Sequence, residues 1–261
     1  MKIMGCEKMS KFLLQTDAME IEEKIAKEQL DRTKLVHSYR ECTLSDLDSV
    51  KEKDFNPIGT IQFVEKYLGI TETPIEIPKY LQTEEFLKRE YKIVKGKDLP
   101  RGGRYFVKNA SKLKDFSVNA DMEYFLYDEM IDYKPKSEFD NTLCIKSTDN
   151  FVVSEEVKIL SEYRVYVFNN VIVAISHYNG NPLLFPDTKL LEKVVMLISY
   201  HEKYLKSYTI DVMITKKGTS LIEIHNFTSV GFYTTLFGTD LLYAYKDGID
   251  YLRKDNSVKY L

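Results

Sequence analysis

Two acids on either side of a Lys-Lys-Gly turn, Asp211 and Glu223, carry the first chemical signal in this chain. Ile210, Val212 and Ile214 alternate with Thr209, Asp211 and Met213. Ile222 and Ile224 alternate with Leu221, Glu223 and His225. Both runs have the period of a strand with one apolar face. Lys216-Lys217-Gly218 suits a three-residue hairpin loop with glycine in the left-handed position. That loop sets Thr215 against Thr219, Met213 against Leu221 and Asp211 against Glu223, with Cβ atoms roughly 5 Å apart. Like charges so placed are destabilising unless they share a proton, are well solvated or hold a cation. Oxygen ligands at that spacing suit Mg2+, which takes one or two carboxylates together with the oxygens of substrate phosphates. The bland alternative is a solvated strand face where two acids meet by chance, and a two-residue loop at Lys217-Gly218 would break the pairing.

Basic residues on neighbouring segments could meet an anion. Glu162 and Arg164 share one face of the strand Tyr163–Phe168, while Tyr163, Val165 and Val167 take the other. An arginine among apolar neighbours needs an anionic partner, because burying it alone is costly. That partner is either a bound anionic group or a nearby acid, Glu162 first among them. Lys108 closes the strand Arg104–Lys108, where a lysine can act as a point charge on phosphate, although most lysines are simply solvated. The chain has no GxSxG elbow, no HExxH and no GxxxxGK[ST] loop.

The order of these pieces, lysine strand, hinge, Glu-x-Arg strand, long helix, Asp strand and Glu strand, resembles the ATP-grasp superfamily. The resemblance is best to a small clade common in bacteriophages and bacteria, and it runs from about Arg104 to Tyr251. Members carry an Asp on one strand and Glu-x-Asn on the next, holding magnesium ions that bridge ATP phosphates. Asp211 and Glu223 match these, and Ser229-Val-Gly-Phe-Tyr233 matches the Ser-x-Gly-x-Tyr turn that follows. His225 stands where the family has Asn, with Asn226 beside it, so the implied metal set is Asp211, Glu223 and either His225 or Asn226. The implied ATP contacts are Lys108, Lys114, the hinge backbone near Glu155 and Val157, Glu162 and Arg164. Arg164 is also the implied catalytic clamp on the phosphoryl group, and His177 and Tyr178-Asn-Gly180 open toward the nucleotide.

The resemblance implies an ATP-dependent carboxylate–amine ligase that forms C–N bonds through an acylphosphate. It would use ATP with Mg2+, or Mn2+ in its place, and its substrates would include a peptide or protein terminus. Two other readings stay open. The His225 substitution motivates a nucleotide-binding module that has lost catalysis, and the carboxylate pair alone would also serve a metal-dependent phosphodiesterase or nuclease.

These residues have to be held by an α+β scaffold. The expected fold is an ATP-grasp fold, two α+β subdomains clamping ATP, preceded by a small α/β pre-ATP-grasp lobe. The expected division is residues 1–100 for the lobe and 101–261 for the ATP-grasp domain, with about 101–153 the small and 154–261 the large subdomain. Before it come a strand at Lys11–Gln15, a helix at Ala18–Leu30 with Asp17 as N-cap, a short helix capped at Thr43-Leu-Ser-Asp, and the helix IQFVEKYL ending at Gly69. Thr71–Pro78 should be an extended connector and Thr83–Arg89 a helix. Strands then dominate: Arg104–Lys108, Met122–Tyr127, Thr142–Lys146, Phe151–Val153, Tyr163–Phe168, Val171–His177, Ile210–Thr215 and Ser220–Ile224. Helices are expected from Lys189 to about Lys206 and from Thr239 to Leu252.

Composition bounds the rest. With 44% hydrophobic and 30% charged residues the chain is an ordinary globular sequence. Its 37 basic and 40 acidic residues leave a net charge of −3, which argues against a nucleic-acid partner. Cys6, Cys42 and Cys144 are too scattered for a disulfide framework or a zinc site and fit a reducing compartment. No signal-peptide core and no membrane-spanning run is present, so a cytoplasmic protein is expected, in the host cytoplasm if phage-encoded.

Overall fold

Phe12-Leu13-Leu14 is apolar on both faces of a strand, and such a strand needs cover above and below. In the computed structural model it lies in β1 (Ser10–Gln15), the middle strand of a parallel sheet ordered β2 (His37–Cys42), β1, β3 (Asn56–Ile58). Phe12 and Leu14 pack with Ala26 and Leu30 of α1 (Ile21–Arg32). Leu13 packs with Phe63 and Tyr67 of α2 (Ile61–Leu68) on the other side. Thr60 Oγ1 caps α2 by accepting the Phe63 N–H at 3.3 Å, and Gly69 ends it with φ of 69°. Asp17, expected as the N-cap of α1, lies with Ala18 in a turn, ahead of the helix as described from Ile21. Its carboxylate accepts the backbone N–H of Leu44 at 3.0 Å instead. The structure describes residues 10–18, 21–34, 37–70, 77–111, 117–121, 125–126, 134–135, 148–228, 230–233 and 239–259.

A second, antiparallel sheet follows the four-residue helix α3 (Glu84–Leu87), which Lys88 terminates in the left-handed region. Its order is β4 (Tyr91–Lys95), β9 (Asn150–Glu155), β5 (Arg104–Asn109), β6 (Ser117–Asp121). A short pair, β7 (Phe125–Leu126) and β8 (Lys134–Pro135), accompanies it. β4 pairs with β9 along its whole length, so this sheet draws on residues before position 101. Of the strand expected at Met122–Tyr127, Phe125–Leu126 is β7 and the rest lies outside the described residues; β6, which pairs with β5, was not expected. The one expected at Thr142–Lys146 lies outside the described residues, as do positions 71–76 of the connector.

The third sheet is antiparallel throughout, in the order β11 (Val171–Gly180), β10 (Ser161–Phe168), β12 (Tyr208–Thr215), β13 (Gly218–Asn226). Asn169 and Asn170, with φ of 47° and 62°, form the tight turn between β10 and β11. One face carries Tyr163, Val165, Val167, Ile210, Val212 and Ile224. It is covered by Leu191, Val194, Val195 and Ile198 of α4 (Thr188–His201). α4 stops at His201, short of Lys206, because Glu202 leaves helical geometry and the chain must turn into β12. α5 (Thr239–Lys259) runs back to the first sheet, where Leu242 and Tyr245 join Phe12, Leu14 and Ile58. Tyr166 and Phe227 enter the same cluster, so the first and third sheets share a core. No helix among the described residues is long and apolar enough to cross a membrane.

Arg89 ties the second sheet to the third. It donates to Ser154 Oγ of β9 at 2.8 Å, and to Ser220 Oγ and the Leu221 carbonyl of β13 at 2.7 and 2.8 Å. Burial pulls its guanidinium down to about 10, which leaves it charged at neutral pH. Its bonds are to neutral oxygens of the protein, so its work is structural. Arg89→Met should cost roughly 2–3 kcal/mol, read as a shift in the urea midpoint, because several buried acceptors lose their donor at once.

Candidate active site

Three strands of the third sheet place Arg164, Asp211 and Glu223 in one row on the face opposite α4. Arg164 stands against Asp211, and Asp211 against Glu223. The hairpin reaches this register by a different route from the one its sequence suggests. Its loop has two residues, Lys216 and Lys217, with Thr215 opposite Gly218. Ile214 therefore faces Thr219, Met213 faces Ser220 and Val212 faces Leu221. A β-bulge at Ile222 then inserts one extra residue and brings Glu223 back opposite Asp211. The pair survives because the bulge cancels the shorter loop.

Asp211 is 3% exposed and cannot stay ionised there alone. Arg164 meets it with two parallel bonds, Nε to Oδ1 and Nη2 to Oδ2, both 2.7 Å. Burial still raises the Asp211 carboxyl, more than these bonds lower it, and the facing Glu223 charge adds to the rise. Among nearby acids Glu162 was the first candidate partner for Arg164; the carboxylate that takes it is Asp211, directly across the strand pair. Glu162 instead accepts Asn179 Nδ2 at 3.3 Å and the Tyr178 hydroxyl. A bulge at Tyr178 allows both contacts, since Glu162 faces Asn179 while Tyr163 already faces His177.

Glu223 gathers two nitrogen partners. Lys108, brought from β5 of the second sheet, pairs with Oε2, and His225 Nε2 lies 2.6 Å from Oε1. Burial opposes ionisation of Glu223, but His225 and then Lys108 outweigh it and hold its carboxyl well below the usual range. Asp211, Glu223 and His225 each offer a ligand atom, and these atoms lie within 4.8 Å of one another. Two carboxylates and an imidazole at that spacing fit a divalent cation. Asn226 does not join them. The register runs unbroken from Glu223 to Asn226, which puts the Asn226 side chain on the opposite face, buried beside Thr228. Lys114 lies outside the described residues. Glu155 ends β9, where its N–H is taken by the Glu90 carbonyl and its carboxylate lies 3.7 Å from Lys217 Nζ. Val157 follows in the segment that joins β9 to β10.

Sequence reasoning missed how the turn after β13 is fixed. Gly231 O accepts from Arg164 Nη1 at 3.1 Å and from the Tyr166 hydroxyl at 3.0 Å. The same hydroxyl accepts the Tyr233 N–H at 2.9 Å, and Glu22 of α1 accepts the Phe232 N–H at 3.0 Å. Tyr233 is thereby held with its ring 5.1 Å from the Arg164 guanidinium carbon and stacked on Tyr178 at 5.0 Å. Tyr166 was within reach of sequence reasoning, two residues beyond Arg164 on the same strand face. Glu22 was not, because nothing local links the first helix to a turn so far along the chain.

Residues 86–237 match the family described as ATP-grasp domain, R2K clade family 2. No curated protein matches the sequence. Solved structures share the fold at low identity. The RimK domain protein ATP-grasp from Sphaerobacter thermophilus DSM 20745 is 12% identical with a TM-score of 0.51, over 94% of this chain and 98% of that one. D-alanyl-alanine synthetase A from Vibrio cholerae O1 biovar eltor str. N16961 is 11% identical with a TM-score of 0.51, over 92% and 98%. A Chryseobacterium gregarium RiPP-associated ATP-grasp ligase, solved with ADP and a leader and core peptide, is 11% identical with a TM-score of 0.50, over 95% and 97%.

Proposed function

Since this chain belongs to the R2K clade of ATP-grasp domains, family 2, we propose that it is an ATP-dependent ligase joining a carboxylate to an amine through an acylphosphate. The observation that carries this reading is the meeting of Lys108 from the second sheet with the Arg164–Asp211–Glu223 row of the third. Two cations and two carboxylates from separate sheets converge there, as a bound triphosphate and its metal would require. Asp211, Glu223 and His225 would hold divalent metal, Mg2+ or Mn2+, which supplies charge neutralisation at the phosphate oxygens.

The protein's own part is positioning. Lys108 and Arg164 are each held by a carboxylate, and both would be free to meet phosphate oxygens once Asp211 and Glu223 served as metal ligands. Arg164 then steadies the transferring γ-phosphoryl group, with Lys114 as a second cation on the phosphates. The segment from Glu155 through Val157 to Glu162 lies at the nucleotide's base and sugar. A substrate carboxylate oxygen attacks the γ-phosphorus and ADP leaves. The amine then attacks the acyl carbon, phosphate leaves, and the amine proton passes to a phosphate oxygen or solvent. In this reading the preceding lobe, expected to span residues 1–100, ends earlier, and the ATP-grasp domain that follows takes in β4 as well. A peptide substrate fits, by analogy with the peptide-bound relative, and a cytoplasmic setting fits the need for ATP.

The test is isotopic. With an 18O-labelled carboxylate substrate found by screening acid and amine panels for ADP release, one labelled oxygen should appear in the phosphate. Unlabelled phosphate, or ADP release that needs neither acid nor amine, would remove the acylphosphate route.

A further inference from the structure

We infer that the Asp211–Glu223–His225 cluster takes a first-row transition-metal ion, such as Mn2+, in preference to Mg2+, with His225 Nε2 as a direct ligand. The inference deepens the nucleotide reading above, and rests on it only for the phosphate oxygens that would complete the coordination.

Cis ligands on a small octahedral ion lie about 3 Å apart and trans ligands about 4.2 Å apart, given metal–ligand bonds near 2.1 Å. Donor atoms within 4.8 Å of one another need only small rotations to reach that spacing. The donor set is two oxygens and one nitrogen. Mg2+ dehydrates reluctantly and favours oxygen, whereas imidazole nitrogen suits transition metals and carboxylate suits Mn2+ as well. His225 Nε2 already points into the cluster, 2.6 Å from Glu223 Oε1. Its register position opposite Thr209 keeps it on the face that carries Glu223.

Competition sharpens the preference. Arg164 holds Asp211 through two bonds and Lys108 holds Glu223, so an incoming ion must displace fixed cations from both carboxylates. Mg2+ would have to win that exchange through charge alone. A transition-metal ion gains in addition a bond to imidazole nitrogen, a donor for which neither Lys108 nor Arg164 competes and which has only its contact with Glu223 Oε1 to give up. His225 therefore changes the metal preference more than the total affinity for divalent ions.

The test uses the full chain with Mn2+, alone and with a β,γ-methylene analogue of ATP that has no bridging nitrogen. Pulsed EPR should detect 14N modulation from an imidazole on bound Mn2+. His225→Asn should remove that modulation and shift the Mn2+/Mg2+ affinity ratio toward Mg2+ by at least about tenfold. Asp211→Asn should abolish Mn2+ binding, which locates the ion. Mn2+ that needs Asp211 but shows no imidazole nitrogen, or a ratio unmoved in His225→Asn, overturns the inference and leaves the ligase reading standing. Imidazole-bound Mn2+ that the ATP analogue does not tighten supports the inference and removes the nucleotide reading.

Discussion

Asn in place of Asp211 is expected to cost turnover and stability together, whereas Gln in place of Glu223 should cost turnover with a much smaller loss of stability. Both substitutions remove a metal carboxylate, so each should lower ATP turnover by on the order of 10³-fold. Their structural duties differ. The Asp211 side chain is 4% exposed and the Arg164 side chain 11%, joined by two 2.7 Å bonds. An amide leaves the Arg164 cation buried without its counter-charge, and breaking such a pair typically costs roughly 3–5 kcal/mol. In a chain of this size that is a melting-temperature drop of about 6–20 °C, at roughly 2–4 °C per kcal/mol. The Glu223 and Lys108 side chains are 23% and 27% exposed, so the Lys108 cation can turn to water when its partner is neutralised. The ionised carboxylate is also held by His225, so the stability cost should be roughly 1–2 kcal/mol, still well below that of Asp211→Asn. ADP release and thermal melts on the same two variants separate these effects. If Glu223→Gln melts as low as Asp211→Asn, the division of labour between the two acids is wrong.

That division could not be read from the sequence, although both acids could. Strand periodicity placed Asp211 and Glu223 on one face and opposite each other, and they are. The loop that seemed to fix this register is one residue shorter than its composition suggests, and a bulge at Ile222 makes up the difference. Alternation along a strand is local, so it survives in the sequence. A bulge is set by what the neighbouring strand and the opposite face require, and it leaves no local mark. The same limit misled the search for Arg164's partner. Glu162 is nearest along the chain, but the sheet puts Asp211 beside Arg164 and turns Glu162 toward Tyr178 and Asn179. β4 went unseen because Tyr91–Lys95 is short and half-exposed, and its pairing partner, β9, is remote in sequence. Where the stop signal was local, as at Gly69 after α2, structure and expectation agree, whereas Asp17, expected to cap α1, is taken by Leu44 from a remote segment.

Removing the charge of Lys108 should move metal and nucleotide affinities in opposite directions. In the free protein Lys108 occupies Glu223, and a metal ion arriving without nucleotide must displace it. Lys108→Met takes away that competitor without touching a ligand. Mn2+ alone should then bind about 3–10-fold more tightly, which corresponds to roughly 0.7–1.4 kcal/mol. An ATP analogue with metal should bind about 10–100-fold more weakly, because a fixed cation on the phosphates is gone. The two changes are linked: whatever nucleotide adds to metal affinity, metal must add to nucleotide affinity. In the parent protein part of that coupling is the release of Lys108 from Glu223 to phosphate, and the variant has nothing to release. Titrating Mn2+ with and without the analogue, in parent and variant, measures both affinities and their coupling. A variant that binds Mn2+ no better than the parent would mean that the Lys108–Glu223 pair does not guard the metal site, and that Lys108 serves the phosphates alone.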